Sequence, residues 1–189
     1  MADAVNQAPR RAVFLDRDGV LNRALVRGGK PHPPATLAEL EVLPGVAEAC
    51  ARLRAAGRQL IVVTNQPDVA RGTQDRGAVD ALNAALRERL PLDEIRVCPH
   101  DDADRCTCRK PLPGLLLEAA QAHGLSLPGS VMVGDRWRDI ECGQRAGCRT
   151  VFVDHGYAER RPDSPDLVVD SLAAAVPWIL SIDQPVEPT

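Results

Sequence analysis

Aromatic residues are scarce in this sequence: two Trp, one Tyr and two Phe make up 3% of 189 residues. Proteins that grip single-stranded nucleic acid stack bases on aromatic platforms, and few are present here. Charge of one sign is missing as well. With 23 Lys and Arg against 26 Asp and Glu, the net charge is −3, which gives no broad attraction to a polyanion or an anionic membrane. Long apolar runs are also absent. The opening MADAVNQAPRRAVF has no signal-like apolar core, and no later run nears the roughly 18 residues of a spanning helix. The expectation is a cytoplasmic protein with no nucleic-acid or membrane partner.

What is present alternates between strand and helix. Short β-branched or apolar runs stop at polar or glycine-rich residues, and each precedes an amphipathic stretch of helical period. Strands are expected at 12–16 (AVFLD), 59–64 (QLIVVT), 95–98 (IRVC), 130–135 (SVMVGD) and 149–154 (RTVFVD). Helices are expected from Pro44 and Gly45 to about Ala56, and over 75–90, 113–123, 137–146 and 171–180. Near-continuous apolar strands such as LIVV and VMV belong to a parallel sheet covered on both faces, hence a doubly wound α/β fold. A chain of this length hides roughly 70% of its unfolded surface, so residues 1–189 are expected to form one domain with its core over about 11–180. The Gly-, Pro- and Arg-rich segment 22–34 reads as a loop, and Met1–Ala8 and Asp183–Thr189 as loose tails.

The chemistry gathers at the expected strand ends. AVFLDRDGVLN closes a strand with Asp16 and Asp18, so extended geometry sends both carboxylates to one side while Arg17 points elsewhere and Gly19 permits a turn. In an open α/β sheet the ligand crevice lies beyond the carboxyl ends of the strands. Asp and Gly also end strands merely as turn formers, so this pair alone does not decide. Other strand ends carry complementary groups: Thr64 and Asn65 in VVTNQ, Arg109 and Lys110 in RKP, and Asp135 in VMVGDRWRD. Asp139 is either a partner for Lys110 or a surface acid.

This ordered set, DRDGV, TN, Lys110 and GDRWRD, resembles the haloacid dehalogenase (HAD) superfamily of phosphohydrolases over roughly Val13 to Asp154. The resemblance implies a HAD-like fold with Asp16 as nucleophile and Asp18 as general acid and base. It implies Thr64 and the Asn65 backbone N–H as holders of phosphate oxygens, and Lys110 as the cation that offsets their charge. Mg²⁺ would be held by the Asp16 and Asp135 carboxylates and the Asp18 carbonyl.

Three of the six cysteines crowd beside a histidine. Cys98, His100, Cys106 and Cys108 form C-x-H-x5-C-x-C, four protein ligands for a tetrahedral, structural Zn²⁺. The alternative is a set of reduced cysteines in a mobile loop. The last ligand directly precedes Arg109 and Lys110, so zinc in the 98–108 loop would fix both cations, and catalytic groups need fixing to within about 0.5 Å. Cys50, Cys142 and Cys148 have no spaced partners and are expected to be small buried hydrophobes; His32, His123 and His155 fit no ligand pattern.

Within the superfamily, LDRDGVLN, TNQPDVARG and CPH...CTCRKP resemble the D-glycero-D-manno-heptose-1,7-bisphosphate 7-phosphatases, whose near relatives are the histidinol-phosphate phosphatases. Both groups are capless or nearly so. The resemblance implies a monomeric, Mg²⁺-dependent phosphomonoesterase that removes the 7-phosphate of a small phosphorylated sugar through an aspartyl phosphate. Asn65, Gln66, Arg109 and Arg136 would face that substrate. Histidinol phosphate or another small sugar phosphate is the alternative substrate, and a zinc-stabilised binding module without catalysis is the alternative of a different class. Two features depart from the family pattern: NRALVRGGKPHPP replaces a shorter Asp-x-Gly-Tyr type segment, and Pro67 stands where a serine is usual. Arg23, Arg27 and Lys30 in that segment are candidates to grip a second phosphate.

Overall fold

The computed structural model describes residues 9–182, so both expected tails lie outside the described residues. Its strands are β1 (Ala12–Leu15), β2 (Leu25–Arg27), β3 (Lys30–His32), β4 (Gln59–Asn65), β5 (Glu94–Cys98), β6 (Val131–Gly134), β7 (Arg149–Val153) and β8 (Leu167–Val169). The helices are α1 (Val46–Ala55), α2 (Arg76–Arg89), α3 (Gly114–His123), α4 (Trp137–Ala146) and α5 (Leu172–Ser181). Every expected helix and strand forms, within two residues of its expected ends.

Alternation along β1 builds the layers. Val13 and Leu15 face α1, α2 and α5, whereas Ala12 and Phe14 face α3 and α4, and all four are fully buried. Such two-sided burial suits a parallel sheet, and all pairings in the six-stranded sheet β5-β4-β1-β6-β7-β8 are parallel. Its strands therefore end along one edge. Because β1 lies between β4 and β6, the residues that follow these three strands become neighbours there.

The segment 22–34 is a hairpin rather than a loop. β2 and β3 pair antiparallel around Gly28 and Gly29, with Arg27 opposite Lys30. Both glycines have positive φ, 56° and 74°, as a two-residue turn matched to strand twist requires. Gly-Gly between two extended runs is a hairpin signal, masked here by strands too short and polar to show alternation. The three-residue edge strand β8 is likewise invisible to periodicity. Among the described residues no cap domain interrupts the sheet, and no helix is long and apolar enough to cross a membrane.

Candidate active site

The strand-end residues do converge. Lys110 reaches Asp16 at 2.8 Å and Asp139 at 2.6 Å, and all three side chains are buried. Asp139 is thus a partner of the lysine, not a surface acid. Its other oxygen accepts the Arg136 N–H at 3.0 Å, capping α4, so one carboxylate sets both the helix start and the ammonium position. Burial alone would lower the Lys110 pKa, but Asp139 and Asp16 more than offset it and hold the ammonium protonated. Burial pushes Asp16 up to about 6, with Asp139 and Asp18 adding to the rise and Lys110 opposing it.

Asp135 lies close to Asp16 and Asp139. Neither of its buried carboxylate oxygens has a partner in full hydrogen-bond geometry, although the Tyr157 hydroxyl comes close enough to oppose part of the rise in its pKa. Burial, then Asp16 and Asp139, hold its carboxyl well above the usual range. An unpartnered buried carboxylate calls for a cation. Asp16, Asp135 and Asp139 can bring one oxygen each within 4.8 Å of one another, an oxygen-only donor set that suits hard Mg²⁺. Charge points the same way: the carboxylates of 16, 18, 135 and 139 face two buried cations, Lys110 and Arg17, and the two negative charges left over match one divalent ion. Two glycines make the crowding feasible. A Cβ on Gly19, whose φ is +91°, would fall 1.9 Å from an Asp135 oxygen, and one on Gly134 would fall 2.1 Å from the Asp139 Cβ.

These shifts predict an unusual pH response. A carboxyl whose pKa is raised on folding stabilises the fold fully below its unfolded value, and that stabilisation is lost as pH rises through the folded value. For Asp16 this window runs from 3.8 to about 6, and the Asp135 shift acts in the same direction. Metal-free protein should therefore lose stability across it, and Mg²⁺ should raise Tm by roughly 5 °C more at pH 7.5 than at pH 5. Differential scanning calorimetry checks this, and Asp135→Asn should erase the difference.

Asp18 lines the cavity and is held from behind. It accepts from Arg17 Nε and Nη2 at 3.1 and 3.0 Å, from Asn22 Nδ2 at 2.9 Å and from Gln66 Nε2 at 2.9 Å. Gln66, expected at the substrate, does not line the cavity: it is buried, and its amide ties Asp18 to the Thr64 hydroxyl, also at 2.9 Å. Asn65 clamps the Lys110 backbone, donating to its carbonyl at 3.0 Å and accepting its N–H at 3.1 Å.

Above these groups opens a cavity of about 320 Å³ lined by Asp16, Asp18, Thr64, Asn65 and Lys110, with Lys30, Arg71, Arg109, Arg136 and Arg138 among the residues around it. Four of these cations are already engaged by acids. Arg71 bonds Asp101, Arg109 bonds Asp102 at 2.7 Å, Arg138 approaches Asp102, and Arg136 meets Glu159 through two bonds of 2.9 and 2.5 Å. Lys30, on β3, has no such partner among the described residues. Arg23 and Arg27 do not line the cavity, and Arg23 is taken by Glu41.

Three contributors have no counterpart in the sequence reading. His155 Nε2 donates to the Gly19 carbonyl at 2.7 Å and so pins the turn after Asp18; Tyr157 faces Asp135, and Glu159 holds Arg136. The Ala158 N–H donates to Gly29 at 2.8 Å, docking the hairpin on the same segment. This stretch follows β7, whose carboxyl end meets the same sheet edge; strand order is the signal that points to it.

The Cys/His cluster assembles as well. Cys98 Sγ lies 3.6, 3.7 and 3.3 Å from His100 Nδ1, Cys106 Sγ and Cys108 Sγ, and Cys108 Sγ lies 3.3 and 3.5 Å from His100 Nδ1 and Cys106 Sγ. Zn–S bonds of about 2.3 Å and Zn–N bonds of about 2.0 Å give tetrahedral edges of roughly 3.8 Å between sulfurs and 3.5 Å from sulfur to nitrogen. The cluster fits that size, and a disulfide, near 2.05 Å, is not formed. Free of metal, the three thiols differ: burial raises those of Cys98 and Cys108, whereas at Cys106 burial is outweighed by hydrogen bonds from Cys108 and the Arg109 N–H, which lower its thiol, so ligation would have to draw two further protons from the cluster. Cys50, Cys142 and Cys148 are buried.

Known proteins carry the same plan. A model of the HAD-hyrolase-like family matches residues 107–175. The chain is 39% identical to the D-glycero-D-manno-heptose-1,7-bisphosphate 7-phosphatase of Thermosynechococcus vestitus, over 90% of this chain and 96% of that protein. It is 36% identical to the D-glycero-beta-D-manno-heptose-1,7-bisphosphate 7-phosphatase of Pseudomonas aeruginosa, over 90% and 98%. The crystal structure of D,D-heptose 1.7-bisphosphate phosphatase from B. bronchiseptica, complexed with magnesium and phosphate, superimposes with a TM-score of 0.73 at 32% identity, covering 91% of this chain and 98% of that one. Identity at this level over nearly the whole of both chains leaves one conclusion: the protein belongs to the heptose-1,7-bisphosphate 7-phosphatase family and is a HAD-type phosphatase.

Proposed function

We propose that this enzyme removes the 7-phosphate of D-glycero-D-manno-heptose 1,7-bisphosphate through a phosphorylated Asp16. The observation that carries this reading is the Asp16–Lys110–Asp139 chain of contacts set against the unpartnered oxygens of Asp135. It supplies a nucleophilic carboxylate, a fixed cation and a place for a divalent one. Asp16 and Asp135 would hold Mg²⁺, together with the Asp18 carbonyl, and the bound ion would offset the repulsion between carboxylate and phosphate.

Asp16 attacks phosphorus, forming a new P–O bond as the ester P–O bond breaks. The sugar oxygen takes that electron pair and a proton from Asp18. Asp18, now a carboxylate, withdraws a proton from water, which attacks the same phosphorus and releases Asp16 and inorganic phosphate. Lys110 steadies charge on Asp16 throughout, and the Thr64 hydroxyl and Asn65 N–H meet the phosphate oxygens. Zn²⁺ on Cys98, His100, Cys106 and Cys108 would be structural.

The names of the relatives support heptose bisphosphate, and so does a cation-lined cavity near 320 Å³. With the ring arginines engaged by acids, Lys30 is the cation free to meet the second phosphate. Rates on heptose 1,7-bisphosphate, heptose 7-phosphate and histidinol phosphate, measured side by side, test the assignment. The bisphosphate should have the highest kcat/KM. Lys30→Ala should raise KM for it roughly 5-fold, the scale of an exposed ion pair, and leave the monophosphate unchanged. Preference for histidinol phosphate would transfer the chemistry to the other substrate, and poor turnover of all three would reject both.

A further inference from the structure

Arg17 is among the largest side chains with no exposure, and the reaction just described gives it no task. Strand alternation turns it away from Asp16 and under the sheet edge. There Nη1 donates to Asn83 Oδ1 on α2 at 3.0 Å, while Nε and Nη2 reach Asp18 at 3.1 and 3.0 Å. A buried guanidinium is strongly disfavoured unless paired, and Asp18 is its only anionic partner among the described residues. Asn22 and Gln66, 0% and 2% exposed, add one donor to each Asp18 oxygen. A carboxylate at the cavity wall is thus gripped from behind by three buried side chains. Only Arg17 among them carries charge and is anchored to the outer helical layer.

We propose that Arg17 is a positioning residue: its fork fixes the orientation of Asp18, which is a carboxylate in these contacts, so that once it has taken up a proton from solvent it passes it to the leaving oxygen from a set angle. The inference rests on the reading of Asp18 as proton donor. Misplacing a reacting group by about 1 Å costs on the order of 100-fold in rate, and a bidentate, buried fork is a stiff way to prevent it.

Leaving-group dependence separates this role from a merely structural one. A sugar alkoxide needs a proton to depart, whereas the phenolate of p-nitrophenyl phosphate does not. The quantity to compare is kcat/KM, which ends at formation of the Asp16 phosphoester and so isolates that step. Arg17→Met should lower kcat/KM about 100-fold on heptose 1,7-bisphosphate and less than about 5-fold on p-nitrophenyl phosphate. Arg17→Lys should restore about a tenth of the lost rate ratio, keeping charge but not the fork. Equal losses on the two substrates, or none, would overturn the proposal. Asp18→Asn is the control for the underlying reading. If it shows no leaving-group bias, Asp18 is not the donor; if it shows the bias and Arg17→Met does not, only the positioning role is lost. Should circular dichroism show Arg17→Met unfolded, Asn83→Leu decides instead: it releases the outer end of the fork and should cost about 10-fold on the sugar phosphate alone. Loss on both substrates, or on neither, counts against the inference.

Discussion

Replacing Asp16 by Asn should lower kcat by at least about 10⁴-fold, with fold and zinc content unchanged. The size follows from the role proposed for Asp16, because removing a nucleophile removes the intermediate itself, not one contact to it. Retention of the fold follows from the surroundings. Asn keeps an oxygen for the Lys110 ammonium, which stays paired with Asp139 at 2.6 Å, and it removes one of the like charges that crowd Asp135. Phosphate release gives the rate, and circular dichroism with metal analysis gives the rest. An unchanged rate would remove Asp16 from its proposed role, and a misfolded variant would contradict the reading of Asp16 as a buried acid crowded by like charges.

Loss of the proposed zinc should have the next largest effect, about 100-fold in kcat, with the proposed Mg²⁺ dependence preserved. Cys108 is bonded directly to Arg109, which precedes Lys110, and Thr107 accepts the Gly114 N–H at 3.1 Å, so the cluster ties the lysine to the start of α3. Without the metal, three thiols and an imidazole no longer share a centre, and the loop they close is free to loosen. The loss stays below that of Asp16→Asn because Lys110 keeps other tethers: the Asn65 clamp on its backbone and two carboxylates on its ammonium. A displacement near 1 Å accounts for the factor. Cys108→Ser is preferable to a chelator, which would also strip Mg²⁺. Full turnover in Cys108→Ser, shown by metal analysis to lack zinc, would break the link between cluster and lysine.

The sequence made the sheet and the chemical groups at its edge legible because one constraint governs both. Apolar runs buried on two faces suit a parallel sheet, and parallel strands deliver their following residues to a common edge, which places Asp16, Thr64 and Asp135 there; the family resemblance supplies their roles. Side chains acting from behind the edge were harder to read. Gln66 sits beside Asn65 and reads in sequence as a substrate contact, but its amide is buried between Asp18 and Thr64. His155, Tyr157 and Glu159 come from a stretch with no helix or strand period, so only strand order could flag them. The hairpin escaped because its strands, LVR and KPH, are short and half polar. Asp139 is ambiguous in sequence because nothing there shows that the first turn of α4 lies against Lys110.

The hairpin stands apart from the catalytic floor, and its docking runs through a main-chain bond from Ala158 to Gly29, which depends on no side chain. The segment that receives this bond also carries His155, Tyr157 and Glu159, so the hairpin over the cavity and the acids below it share one support. A shift of residues 155–159 would therefore move Lys30 at the cavity rim and the Gly19 turn at its base together.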